Sequence, residues 1–144
     1  MMRPDRTVAA RPGIEGPAQP GGLLYGVTVG AGFTASHHVR LPDGAWEAPH
    51  VHPWRVRVHF AAAELDSNAM VVDFCAAQKA LGSILAPLQD ADLNVHPAFS
   101  GRSPTAEVVA RWVFDQLTDC GVGPVWRVEV TEAPGCAASF GQTP

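Results

Sequence analysis

The chain has 144 residues, room for one domain, and 47% of them are hydrophobic, enough for a core and against wholesale disorder. Ten Lys+Arg against fourteen Asp+Glu leave a formal net charge of -4, the wrong sign for a general nucleic-acid binder. No apolar run reaches the roughly 20 residues of a membrane span, no apolar stretch follows the N-terminal arginines as in a secretory signal, and Cys75, Cys120 and Cys136 make no disulfide framework, so a reducing, cytoplasmic setting with neither nucleic-acid nor membrane partners is expected.

Residues 1–21 carry Pro4, Pro12, Pro17 and Pro20 among Gly, Ala, Arg and Asp with no apolar period. They read as a disordered tail before a single domain over residues 22–144. From Leu23 to Thr34, residues Tyr25, Val27, Val29, Ala31 and Phe33 alternate with small or polar ones, the period of a strand. Residues 41–49, with two prolines and a glycine, read as a loop. A second strand is expected over Trp54 to Ala62, with Trp54, Val56, Val58 and Phe60 on one face and Arg55, Arg57 and His59 on the other.

Phe74, Ala77, Leu81, Ile84, Leu85 and Leu88 follow helical spacing behind Asp73, with Pro87 marking the end and Gly82 weakening the middle. Ser103 as N-cap and Pro104 at the first helical position start a second helix. Val108, Val109, Trp112, Val113 and Leu117 form its buried face, and Gly121 or Gly123 closes it. Val125 to Thr131 is a third strand and Ala137 to Phe140 a short fourth. The order β-β-α-α-β-β makes the fold class α+β. Cys75 reads as a small core residue, and Cys120 and Cys136 as structural.

Six histidines stand at 37, 38, 50, 52, 59 and 96. In an extended chain the pair His50-x-His52 points to one face. If the first two strands pair antiparallel, His37 or His38 at the end of one meets that pair at the start of the other. Three imidazoles with an open position are the donor set of a catalytic zinc site, whereas a His-x-His in a loop can also be merely solvated.

Six motifs stand in order along residues 23–140. They are Phe33-Thr34-Ala35-Ser36-His37, His50-x-His52, Met70-Val71-Val72-Asp73-Phe74, Leu93-Asn94, Pro104-Thr105-x-Glu107 and Val128-x-Val130-x-Glu132. Together they resemble the 6-pyruvoyl- and 6-carboxy-tetrahydropterin synthase family. The resemblance implies the tunnelling fold, a four-stranded antiparallel sheet with two helices on one face. It also implies a homo-oligomer, trimer or hexamer, whose sheets close into a barrel with active sites between subunits. It implies Zn2+ held by His37, His50 and His52, and Glu132 anchoring a pterin ring through paired N–H donors. Thr105 and Glu107 match pocket-lining positions, although helix-start chemistry explains them equally well.

Two parts of the family pattern are missing. No cysteine precedes His50; Trp46 and Gly44 hold the positions four and six residues back, with Glu47 nearby. The family's Leu-Asp-His-x-x-Leu-Asn reads Leu88-Gln89-Asp90-Ala91-Asp92-Leu93-Asn94, with His96 two residues further on. Three functions are therefore expected to compete. The first is a zinc enzyme turned to an acid–base condensation or lyase step on a flat aromatic substrate, such as a Pictet–Spengler cyclisation, with Glu47 or Asp90 moving protons and Trp46 as an aromatic wall. The second is a pterin lyase on 7,8-dihydroneopterin triphosphate, with Glu47 replacing the cysteine and Asp90 or His96 the relay. The third is a non-catalytic scaffold or binding subunit.

Overall fold

The structure, a computed structural model, describes residue 22 and residues 24–143. The expected tail over 1–21 lies outside the described residues. Four strands and two α-helices follow in order: β1 (Tyr25–His37), β2 (His50–Ala62), α1 (Phe74–Leu85), α2 (Ala106–Cys120), β3 (Val125–Ala133) and β4 (Cys136–Gly141). The strands form one antiparallel sheet in the order β1-β2-β3-β4. The helices pack on one face, α1 against β1 and α2 against β3 and β4. This is the four-stranded, two-helix architecture expected from the sequence. No helix among the described residues is long and apolar enough to cross a membrane.

The core lies between sheet and helices. Val29, Phe33 and Ala35 of β1 meet Trp54, Val56, Val58 and Phe60 of β2 and Val128 and Val130 of β3. Ala77, Leu81 and Leu85 of α1 and Val109, Val113 and Leu117 of α2 cover them. Most of the alternating and helical spacing in the sequence is thus spent on burying one face.

β1 and β2 run further toward each other than their alternation predicts, because residues 35–37 pair with 50–52. Pro53 does not stop β2. Its partner Thr34 turns its N–H to Gln89 and its C=O to the N–H of Asp90, both away from β2. Pro53 therefore also faces away from β1, toward an edge that β3 joins only from Arg55 onward, so its missing N–H leaves no gap.

α1 begins as expected, with Asp73 accepting from the Ala76 N–H at 2.7 Å. Phe74, expected in the buried stripe, is 61% exposed. As the first helical residue its side chain tilts past the helix start, beyond the last core layer. There it lines a hollow of about 410 Å³ with Tyr25, Leu65 and Met70. Cys75 is also exposed rather than in the core, as are Cys120 and Cys136. The second helix starts two residues later than predicted. Thr105, not Ser103, is its N-cap, accepting from the Val108 N–H at 3.3 Å. Pro104 stays outside the helix, and its carbonyl serves a histidine instead. Gly121 closes α2 with φ 67, the left-handed conformation that glycine adopts without strain.

Gly82 sits inside α1 with no atom within 4 Å of where a Cβ would stand. Gly82→Ala is expected to raise unfolding stability by about 0.5–1 kcal/mol in denaturant titration. On the uncovered sheet face, His59 bonds Thr28 through Nδ1 at 3.0 Å. Burial, helped by Arg57 and Arg127 and opposed by Glu129, lowers its pKa below the usual 6.5. On acidification the unfolded chain then takes up this proton first. The contribution is complete above the unfolded value and is lost as pH falls through the folded one. His59→Gln should therefore flatten the fall in stability between about pH 7 and pH 5, read from melts across that range.

Candidate metal centre

The β1–β2 register gathers the histidines. His37 pairs with His50, and Ala35 with His52. His50 and His52, two apart on a strand, share the helix-covered face with the buried His37. The rings meet edge to face, with centroids 4.7 Å apart for His37–His50 and 4.4 Å for His50–His52. Trp54 stands against His37 at 4.7 Å and closes the core side.

Glu132 arrives from the third strand. The β3–β4 register slips between Thr131 and Ala133, just before the turn at Gly135. Two and four residues after the buried Val130 and Val128, Glu132 shares their face by strand alternation. The Glu132 Oε1 lies 2.9 Å from His37 Nε2, 3.2 Å from His52 Nε2 and 3.9 Å from His50 Nε2. Donor atoms of all four residues fall within 4.8 Å of one another.

Backbone carbonyls orient two of the rings. His37 Nδ1 is 2.9 Å from the Pro104 carbonyl and His50 Nδ1 is 3.0 Å from that of Ala48. A carbonyl only accepts, so Nδ1 is the donor in each pair and Nε2 of each ring turns into the cluster, where that of His37 is hydrogen-bonded to Glu132 Oε1 at 2.9 Å. His52 Nε2 is buried with no hydrogen-bond partner, and its approach to Glu132 lacks the direction of a hydrogen bond. Burial first, then the neighbouring His50 and His37 against the opposing pull of Glu132, lower the His52 pKa. Three imidazole nitrogens and a carboxylate oxygen thus face one point, with the His37–Glu132 contact made as a hydrogen bond and His52 Nε2 left without a partner. The donor set therefore fits a metal ion such as zinc.

Glu47 reaches the centre's rim. Residues 39–47 fold into a hairpin, with Leu41 bonded to Ala45 and Glu47 to Val39. Glu47 Oε1 accepts from the Val39 N–H at 3.0 Å and lies 3.7 Å from His50 Nε2. Asn94 clamps the hairpin's root, accepting from the His38 N–H at 2.9 Å and donating to the His38 carbonyl at 2.8 Å. Asn94 belongs to the Leu93-Asn94 motif, whereas no sequence pattern points to the two carbonyls, because a backbone group leaves no residue signature.

The other candidates stand apart within this chain. Asp90 holds a positive φ of 59 and accepts from Gln89 at 2.9 Å, on the outer edge of β1. His96 accepts from the Ala98 N–H at 3.2 Å and leans on Phe99. Thr105 is spent on its cap, and Glu107 lies exposed in the first turn of α2. Trp46 is 54% exposed and packs on His38, not on the three-histidine cluster. The Met70–Phe74 motif lines the hollow beside Tyr25 instead of the centre.

The profile of the family described as 6-pyruvoyl tetrahydropterin synthase matches residues 26–143. The chain belongs to the 6-pyruvoyl tetrahydropterin synthase family. The 6-carboxy-5,6,7,8-tetrahydropterin synthase of Synechocystis sp. is 31% identical over 115 residues, covering 75% of this chain and 86% of that one. The 6-pyruvoyl tetrahydropterin synthase of Caenorhabditis elegans shares the fold with TM-score 0.70 at 18% identity, over 84% of this chain and 97% of its own. That of Plasmodium vivax has TM-score 0.70 at 14% identity, over 85% and 99%. Two variants of the Plasmodium vivax synthase, with a catalytic glutamate replaced by alanine or by cysteine, have TM-score 0.67 at 12% identity, over 85% and 99%.

His52→Ala removes one donor from a partly exposed position and should leave the fold intact by circular dichroism. Zinc content measured by mass spectrometry after dialysis is expected to fall from about one per chain to a small fraction of that.

Proposed function

We propose that this member of the family is a zinc-dependent lyase acting on the side chain of 7,8-dihydroneopterin triphosphate, with Glu47 moving the proton that a cysteine moves in its relatives. The observation that carries the reading is the Glu47 carboxylate at the rim of the centre, 3.7 Å from His50 Nε2. The catalytic glutamate of the Plasmodium vivax synthase supports it, since carboxylate chemistry serves a protein of the same fold.

His37, His50 and His52 would hold the zinc, their Nε2 atoms presented by the Pro104 and Ala48 carbonyls and by the strand register. The ion, when bound, supplies a Lewis acid that polarises substrate oxygens. Glu47 is the general base. Its Oε1 is held in place by the Val39 N–H, and the hairpin keeps it beside the histidines. Glu132 recognises the ring by accepting two N–H bonds from its aminopyrimidine edge. Asp90 and His96 do not meet the centre in one chain. They take part only where copies assemble, as in the trimer or hexamer the family resemblance implies.

A second reading rests on the missing relay. Gln89 and Asp90 bond to each other and to β1, so the pair that moves protons in relatives is replaced by an edge clasp. A condensation of an aromatic amine with a carbonyl compound, of the Pictet–Spengler type, needs only one acid–base carboxylate.

Zinc-loaded protein incubated with 7,8-dihydroneopterin triphosphate is expected to yield a side-chain-cleaved pterin by mass spectrometry. Glu47→Gln should lower kcat by about 10²–10⁴-fold. No conversion by the zinc-loaded wild type overturns the lyase reading and directs the assay to amine and carbonyl pairs.

A further inference from the structure

The sheet has a second face, which neither helix covers, and its chemistry is cationic. Alternation along β2 places Arg55, Arg57 and His59 there, and Arg127 joins them as the partner of His59 on β3. Among the described residues of the sheet, Glu129 is the one acid that alternation puts on this face. Its Oε1 lies 3.6 Å from Arg57 Nη1, and both side chains reach solvent. An exposed pair of that length contributes little and leaves Arg57 able to turn. Among the described residues no carboxylate pairs with Arg55 or Arg127. Arg127 donates to Ser139 Oγ at 2.5 Å. A guanidinium carries five N–H donors, so most of those here are uncommitted. Three arginines thus stand against one glutamate in a chain of formal net charge -4. Their field is felt at His59, whose pKa is lowered first by burial and next by Arg57. Opposite Arg57 and Arg55, β1 carries Gly30 and Gly32. With no side chains there, the face sinks into a trough of about 370 Å³, walled by both arginines, Glu129 and Thr131.

We propose that this face binds a free inorganic triphosphate anion between Arg55, Arg57 and Arg127. Same-face residues two apart on a strand stand about 6.6–6.8 Å from each other, and neighbouring strands about 4.7–4.9 Å. Arg55 and Arg57 are two such neighbours on β2, and Arg127 lies diagonal to Arg57 on β3. A short chain of linked phosphoryl groups spans three guanidinium groups so placed, with a pair of oxygens for each planar fork. A single tetrahedral anion cannot engage all three. Nucleic acid is a poorer occupant, because the rest of the chain is acidic. Closure of the sheets into a barrel, which the family resemblance implies, turns this face inward, since the helices occupy the other. A small anion enters such a space and a macromolecule does not. The histidines point to the helix-covered face, so within one chain the occupant is a free anion and not the tail of a molecule held at the metal centre. The site stands independently of the lyase reading, because binding needs no turnover.

The test is calorimetric titration of the full, zinc-loaded chain with sodium tripolyphosphate at fixed ionic strength, with zinc content measured before and after. Triphosphate also binds zinc, so His52→Ala serves as a low-zinc reference. The wild type and His52→Ala are both expected to bind. So is Arg111→Gln, which removes a positive charge from α2 instead. Arg57→Gln combined with Arg127→Gln should weaken binding about tenfold or more. Arg55→Gln should weaken it in the same direction. The Arg55 side chain makes no hydrogen bond among the described residues, so this variant decides alone if the double variant fails to fold. No binding by the wild type overturns the proposal. So does an affinity unchanged in the arginine variants, or one lost in His52→Ala, which places the anion on the metal. A loss in Arg111→Gln equal to that in Arg55→Gln overturns it as well, since net charge alone then explains the binding. Sulfate bound as tightly at the same ionic strength does so too.

Discussion

Two backbone carbonyls decide what this protein can hold. Because Pro104 and Ala48 accept from Nδ1 of His37 and His50, both rings aim their Nε2 atoms at one point. His52 adds a third, sealed from other partners, and Glu132 brings a carboxylate. A buried polar atom left unpaired costs about 1–3 kcal/mol, and His52 Nε2 is such an atom. A cation bound by the cluster would satisfy it. The site's capacity to hold a metal thus depends on hydrogen bonds that lie outside it, in the loop before α2 and in the turn before β2.

That arrangement depends on the sheet. The β1–β2 ladder sets His37 across from His50, and a slip of one residue would turn His50 and His52 to the opposite face. The segment after α1 secures the other side of β1. Ser36 bonds Ala91 and Leu93 through the backbone, Asp90 bonds Thr34, and Asn94 clamps His38. The same contacts root the hairpin that carries Glu47. The fold therefore supplies a rigid metal end and a carboxylate held at its rim, a division that fits a site in which positioning does most of the catalytic work.

The family pattern and its departures meet at this end of the sheet. The histidines and Glu132 are kept, while the cysteine is gone and the Asp-His pair has become Gln89-Asp90, hydrogen-bonded to each other on the far edge of β1. Glu47 stands at the rim of the centre, held by the Val39 N–H.

Much of this was legible in the sequence, because burial on one face imposes a period that residues display. Alternation in β1 and β2, the stripe of Ala77, Leu81 and Leu85, and the spacing of Val109, Val113 and Leu117 all marked their elements. The pair His50-x-His52 marked a shared face. Phe74 and Cys75 misled, since periodicity records a direction and not whether anything lies beyond it. Only the tertiary structure decided that Thr105 caps α2, because Pro104 is claimed by His37, a residue 67 positions away. Only it brought Glu132 onto the metal face and Glu47 to its rim, and left Asp90, His96 and Trp46 aside. Sequence by itself determined which chemistry the chain carries, since donor atoms belong to residue types. Which of those atoms share one point was settled by strand register and backbone carbonyls, long-range relations that no local pattern contains.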